Sequence, residues 1–155
     1  MGRICYGRRT VLAWSAVFSF GWLTPAAAQL PEIRSTLSGV YTEEQAEQGA
    51  EVFKSICSNC HGPSNPLWGS RFVNVWGGQS LWRLYEFVSM SMPYGKGGSL
   101  TSEQSRTAIA YILQRNGYPA GDAPLPEEMI EIAFINFDPH PEPGAELTAP
   151  DGEKK

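Results

Sequence analysis

Histidine and cysteine are the scarcest chemically active residues in this chain of 155, with two of the first and three of the second. Three cysteines cannot build the multiple disulfides that hold together small secreted domains. A tetrahedral zinc site needs four nitrogen or sulfur ligands. Beyond Cys57 and Cys60 the chain offers only Cys5, His61 and His140, and the first and last of these fall in terminal segments. A thioredoxin-like dithiol would need a βαβ setting, and no such pattern follows Cys60. Basic residues are also in short supply, 12 Lys and Arg against 16 Asp and Glu. That balance argues against nucleic acid and anionic membrane surfaces as partners. One long apolar run exists, at residues 11–23, and it lies close to the N-terminus.

That run belongs to an export signal. Arg3, Arg8 and Arg9 precede it without any acid, and Pro25 and Ala26-Ala27-Ala28 follow it, the basic, apolar and small-residue regions of a cleavable leader. The reading is a signal peptide over residues 1–28, cut before Gln29. If it were retained, the uncharged stretch 11–28 would be about the shortest possible membrane anchor. Cleavage removes Cys5 and three bases, which leaves nine basic against 16 acidic residues and a formal charge of −7. The expected location is therefore the periplasm, with no stable membrane span in the mature chain.

The centre of the sequence is Cys57-Ser58-Asn59-Cys60-His61. Cys-x-x-Cys-His is the attachment site of a c-type haem: two thiols alkylated by the vinyl groups, and the adjacent imidazole on iron. The spacing lets two thioethers reach neighbouring vinyls on one edge of the macrocycle and holds the next residue over its face. A structural disulfide between the two thiols is the simpler alternative in an oxidising compartment, but it leaves His61 without a role.

The remaining elements read in order around that motif. Residues 29–41 lack periodicity and are expected as an extended lead-in. Thr42 caps a first helix, with Gln45 placed for a capping box and Glu43 and Glu44 at the positive end of the dipole. Ala46, Gly49, Ala50, Phe53 and Ile56 give that helix one apolar face running into Cys57. Residues 62–78, rich in Gly, Pro, Ser and Asn, are expected as a loop over the haem. Pro66-Leu67 is expected to supply a carbonyl to the His61 ring, and Trp76, Arg71 and Arg83 are candidate propionate donors. Ser80 caps a second helix over about 81–89. The glycine-rich loop 90–100 then offers Met90 and Met92. The opposite face of the iron needs a sixth ligand, and methionine is the usual partner of histidine in electron-carrying c haems. Met92 is preferred because Pro93 fixes the backbone after it; Met90 is the alternative and Met129 a more distant one. Thr101 with Gln104 opens a third helix that ends at Arg115 and Gly117. One more short helical turn is expected between Leu125 and Ile132, and residues 138–155 read as an acidic, proline-rich disordered tail containing His140.

Between Thr42 and Ile132 this order of helix, Cys-x-x-Cys-His, wrapping loop, helix, Met-Pro and terminal helix resembles a class I monohaem cytochrome c. The resemblance implies an all-α fold of three to four helices around one covalent haem in a domain spanning 42–137. It also implies a crossing of the first and last helices through a glycine–aromatic contact, here Gly49 or Phe53 against Tyr111. Met92-Pro93, Ser99-Leu100 and Ile109-Ala110-Tyr111-Ile112-Leu113-Gln114-Arg115-Asn116-Gly117-Tyr118-Pro119-Ala120-Gly121 are similar to the cytochrome c domains and subunits that serve periplasmic quinoprotein alcohol and sugar dehydrogenases. In those, Met-Pro is usually followed a few residues later by Pro-Gly-Ser-Leu, where this chain has Gly97-Gly98-Ser99-Leu100. The implied function is one-electron transfer rather than catalysis, with Cys57, Cys60, His61 and Met92 holding the cofactor. The implied partners are redox proteins: a dehydrogenase as donor, and an oxidase or another cytochrome as acceptor on the way to the respiratory chain. The alternatives are a tightly bound subunit of a dehydrogenase complex, or a haem enzyme or gas-binding protein with an open sixth site.

Overall fold

The computed structural model describes residues 31–139 together with Gly2. The expected signal peptide with Cys5, and the tail from His140 onward, lie outside the described residues.

The framework is a crossing of two helices, α1 (Glu43–Val52) and α4 (Ser102–Arg115). Both begin as their sequences require. The Thr42 hydroxyl accepts the Gln45 N–H at 3.2 Å. At α4 the full reciprocal box forms, Gln104 N–H to the Thr101 hydroxyl at 3.1 Å and Thr101 N–H to Gln104 Oε1 at 2.9 Å. The first helix departs from the expected box, because Gln45 Oε1 accepts the buried Leu125 N–H at 2.8 Å instead. A side chain that satisfies a buried backbone donor protects against a larger loss than a second cap bond at an exposed helix end would.

The crossing is possible because Gly49 has no side chain. A Cβ there would lie 1.8 Å from the Thr107 carbonyl oxygen and 2.9 Å from Tyr111 Cβ. One turn further along, the Phe53 and Tyr111 rings meet at 5.2 Å between centroids. The core continues from α4 to α3 (Leu81–Ser91), where Leu81, Leu84, Tyr85 and Val88 are buried against Ile109, Ile112 and Leu113. The Ser80 hydroxyl caps α3 by accepting the Trp82 N–H at 3.2 Å.

Two features correct the sequence reading. The segment 62–78 is not wholly loop, since α2 (Ser70–Trp76) forms within it and buries Phe72. Its signal is weak because it has only seven residues, two β-branched valines and no side-chain cap. Nor is the molecule purely helical. Three short strands, β1 (Arg34–Ser35), β2 (Gln79–Ser80) and β3 (Ile135–Phe137), form a sheet in the order β1-β3-β2, with β1 parallel and β2 antiparallel to β3. None is long enough to show alternation over several residues, which is the usual strand signal. In β3 the pattern is nonetheless present in miniature: Ile135 and Phe137 are buried and Asn136 is exposed between them. The part of the lead-in at 34–38 thus becomes a strand and a tight turn (Thr36–Ser38) rather than merely extended chain. A short helix, α5 (Met129–Ala133), precedes β3 and buries Ile132.

The domain is therefore mostly helical with a small three-stranded sheet. No helix among the described residues is long and apolar enough to cross a membrane.

Candidate functional site

α1 does not stop at Val52. It widens into a π-helical turn over Phe53–Cys57, in which Ser58 N–H reaches back to the Phe53 carbonyl at 2.8 Å. Such turns occur mostly as single insertions in α-helices and frequently at functional sites. The chain then folds tightly on itself, with Cys60 N–H and His61 N–H both donating to the Cys57 carbonyl at 3.1 and 2.9 Å. Cys57, Cys60 and His61 are thereby gathered within one turn of backbone. Both thiols are free. Burial alone pushes the Cys57 thiol above its ordinary range, because an apolar environment disfavours the thiolate.

All three residues line one cavity of about 230 Å³. Ile56 and Leu67 join them from the first half of the chain, and Val88, Met92, Pro93, Tyr94, Leu100, Ala108 and Ile112 from the second. No charged side chain is in the lining. Met92 is the residue that ends α3, its N–H donating to the Val88 carbonyl at 3.3 Å, and the Met92–Pro93 peptide is cis. Of the candidate methionines only Met92 reaches this cavity. Met90 is 69% exposed and faces a separate surface hollow with Trp76, Arg83, Glu86, Phe87 and Ser91. Met129 is 60% exposed on α5.

The loop after Met92 is pressed onto the end of α3. A Cβ at Gly97 would stand 2.4 Å from the Met90 carbonyl oxygen. So close a backbone approach requires a residue without a side chain.

The surroundings of His61 differ from the expectation. The carbonyl in hydrogen-bond contact with its Nδ1 is that of Asn65, at 3.3 Å, rather than one from Pro66-Leu67. The Leu67 carbonyl is engaged elsewhere, accepting from Asn116 Nδ2 at 3.0 Å, while Asn116 Oδ1 accepts the Gly69 N–H at 3.0 Å. Asn116, at the end of α4, therefore pins the loop that brings Leu67 to the cavity. Arg115 adds to this by lying 4.5 Å from the centre of the Trp68 ring. Trp76, Arg71 and Arg83, the candidate propionate donors, are absent from the cavity lining. Arg83 instead pairs with Glu86 at 3.0 Å, and Trp76 packs on Phe87 with 5.4 Å between ring centres.

Asn65 and Asn116 are the residues that reading the sequence alone did not single out. Each had a signal of turn type only, Asn65-Pro66 and Asn116-Gly117, which reports a bend and not what the bend holds.

No family model, no curated protein and no solved structure matches this chain.

Proposed function

We propose that this chain is a monohaem c-type cytochrome, an exported carrier of single electrons that works between a quinoprotein-type dehydrogenase and the respiratory chain. The observation that carries the reading is that Cys57, Cys60, His61 and Met92 line one apolar cavity although Met92 is 31 residues beyond His61 in the sequence. The donor set suits the group. Two free thiols and an imidazole share the cavity without converging into a cluster that would hold a bare metal ion among the described residues. Spread donors along an apolar hollow suit a flat macrocycle tethered at two points.

Cys57 and Cys60 would hold the group covalently, and His61 and Met92 would offer its iron a nitrogen and a sulfur. When bound, haem supplies a one-electron ferric–ferrous couple, which a thioether ligand and an apolar surround both bias toward the ferrous side. The chain's own contribution is to exclude water with Ile56, Leu67, Val88, Leu100 and Ile112, and to fix the two ligands on separate segments. The Gly49–Thr107 crossing with Phe53 against Tyr111 also supports a class I cytochrome arrangement.

The test is direct. Protein matured in an export-competent host should keep its colour on acid–organic extraction, and its reduced and oxidised spectra should report histidine–methionine ligation. Colour that partitions into the solvent would overturn the proposal. Copurification with a dehydrogenase would make the chain a resident subunit; its absence would make it a free carrier.

A further inference from the structure

Both contacts of His61 Nδ1 come from one residue. The Asn65 carbonyl oxygen lies 3.3 Å away and the Asn65 side-chain nitrogen 3.4 Å away. The two make opposite demands on the ring, because a carbonyl accepts and requires a proton on Nδ1, whereas an amide donates and requires that nitrogen to be bare. The amide nitrogen has another acceptor, the Cys60 carbonyl at 3.3 Å. Asn65 N–H in turn donates to the Gly62 carbonyl at 3.0 Å, which closes the turn between them. Asn65 thus ties together both ends of the short loop after Cys60 and lines the cavity beside Cys60 and His61.

We infer that Asn65 is a positioning residue for His61. Its side-chain amide anchors residue 65 to the Cys60 carbonyl, so that its backbone carbonyl takes the Nδ1 proton and leaves the Nε2 lone pair free for a metal. This inference rests on the haem reading above. The plainer role, a turn former ahead of Pro66, requires the Asn65–Gly62 bond alone and gives no account of the other contacts. Asn65 is exposed, so water competes for each bond and the energy gained is small. What the residue fixes is the proton's location and the ring's orientation, the usual task of a group behind a metal-binding histidine.

Two substitutions separate these roles in the haem-loaded protein. Asn65→Ala keeps the backbone carbonyl and removes the tie. Asn65→Asp removes the donor and puts an acceptor-only carboxylate beside the ring, which raises the imidazole's basicity and favours ferric iron. The aspartate variant should shift the ferric–ferrous equilibrium about tenfold toward ferric, a fall of ~59 mV for a one-electron couple. In the alanine variant the His61 Nδ1 proton, followed by NMR in the ferrous protein, should exchange with solvent roughly tenfold faster than in the parent, since opening of the contact sets the exchange rate. The site is exposed, so helical circular dichroism should be unchanged in both. Haem-loaded variants whose potential and Nδ1 exchange match the parent would overturn this inference alone. Parent protein that carries no covalent haem would overturn the haem reading and this inference with it.

Discussion

Met90 and Met92 are neighbours but one at the end of α3, yet they face different hollows, one on the surface and one shared with His61. Under the haem reading, Met92→Ala should abolish the weak far-red absorption of ferric methionine–haem and open the iron to carbon monoxide or cyanide, whereas Met90→Ala should leave both unchanged. Absorption spectra and a carbon monoxide titration check this, and the reverse pattern would move the sulfur ligand to Met90. A second residue-level prediction concerns Tyr41, whose buried hydroxyl donates to the Tyr118 carbonyl at 2.6 Å. Burial first, and the charge of Glu43 second, push its pKa above the ordinary tyrosine value of 10.0. The folded state therefore holds this proton at a pH where the unfolded chain releases it. The contribution to stability is fully present below pH ~10 and is lost as pH rises through the folded value. Tyr41→Phe should remove that alkaline loss and, by deleting a buried hydrogen bond, cost about 1 kcal/mol at neutral pH. Urea unfolding of both proteins between neutral and strongly alkaline pH measures the two effects.

At the scale of elements, the α1–α4 crossing is the most sensitive contact. Gly49→Ala would drive a methyl group into the Thr107 carbonyl, 1.8 Å from where its Cβ must stand. Backbone on both sides leaves little room to yield, so the expected loss is at or above the roughly 1–3 kcal/mol typical of overpacking, read as a fall in Tm. Gln45→Ala should cost a comparable amount, about 1–3 kcal/mol, because it strands the buried Leu125 N–H. By contrast Thr101→Ala removes only an exposed cap and should cost about 1 kcal/mol. These elements also show what was legible beforehand. The caps at Thr42, Ser80 and Thr101 and the apolar stripes of α1, α3 and α4 followed from local chemistry and spacing, whereas Met92 was singled out only on the assumption of a haem. α2, the sheet and the partner of Gln45 did not, because each depends on residues distant in sequence: Phe72 on Phe137, Arg34 on Ile135, Gln45 on Leu125. The carbonyl behind His61 was misplaced for a related reason. Pro66-Leu67 marks a turn in the sequence, but Asn116, far along the chain, claims the Leu67 carbonyl and leaves the role to Asn65.

At the scale of the whole molecule, charge and cavity are kept apart among the described residues. The cavity lining carries no charged side chain, while Glu43, Glu44, Glu47 and Glu51 lie along α1. If the partner docks at the cavity mouth, where Tyr94 is 92% exposed, the contact is made mainly by uncharged groups and the acids supply only long-range orientation that salt screens. Under the electron-carrier reading, electron transfer with the partner should slow only modestly between low and physiological ionic strength. A steep fall would relocate docking to the acidic face of α1.

The sheet gives the domain a timetable as well as a seam. β3 is its central strand, so β1 has no strand to pair with, and β2 none either, until residues 135–137 exist. The Thr36 hydroxyl and Asp138 backbone that meet beside it are 102 residues apart. A growing or emerging chain can form α1 and its Cys-His turn early, from local contacts, but the loop-closure entropy of the seam is met only at the end. The thiols are thus presented on an incomplete domain for as long as β3 is missing, which under the haem reading is the interval for fitting a bulky group before that strand locks β1 to the rest.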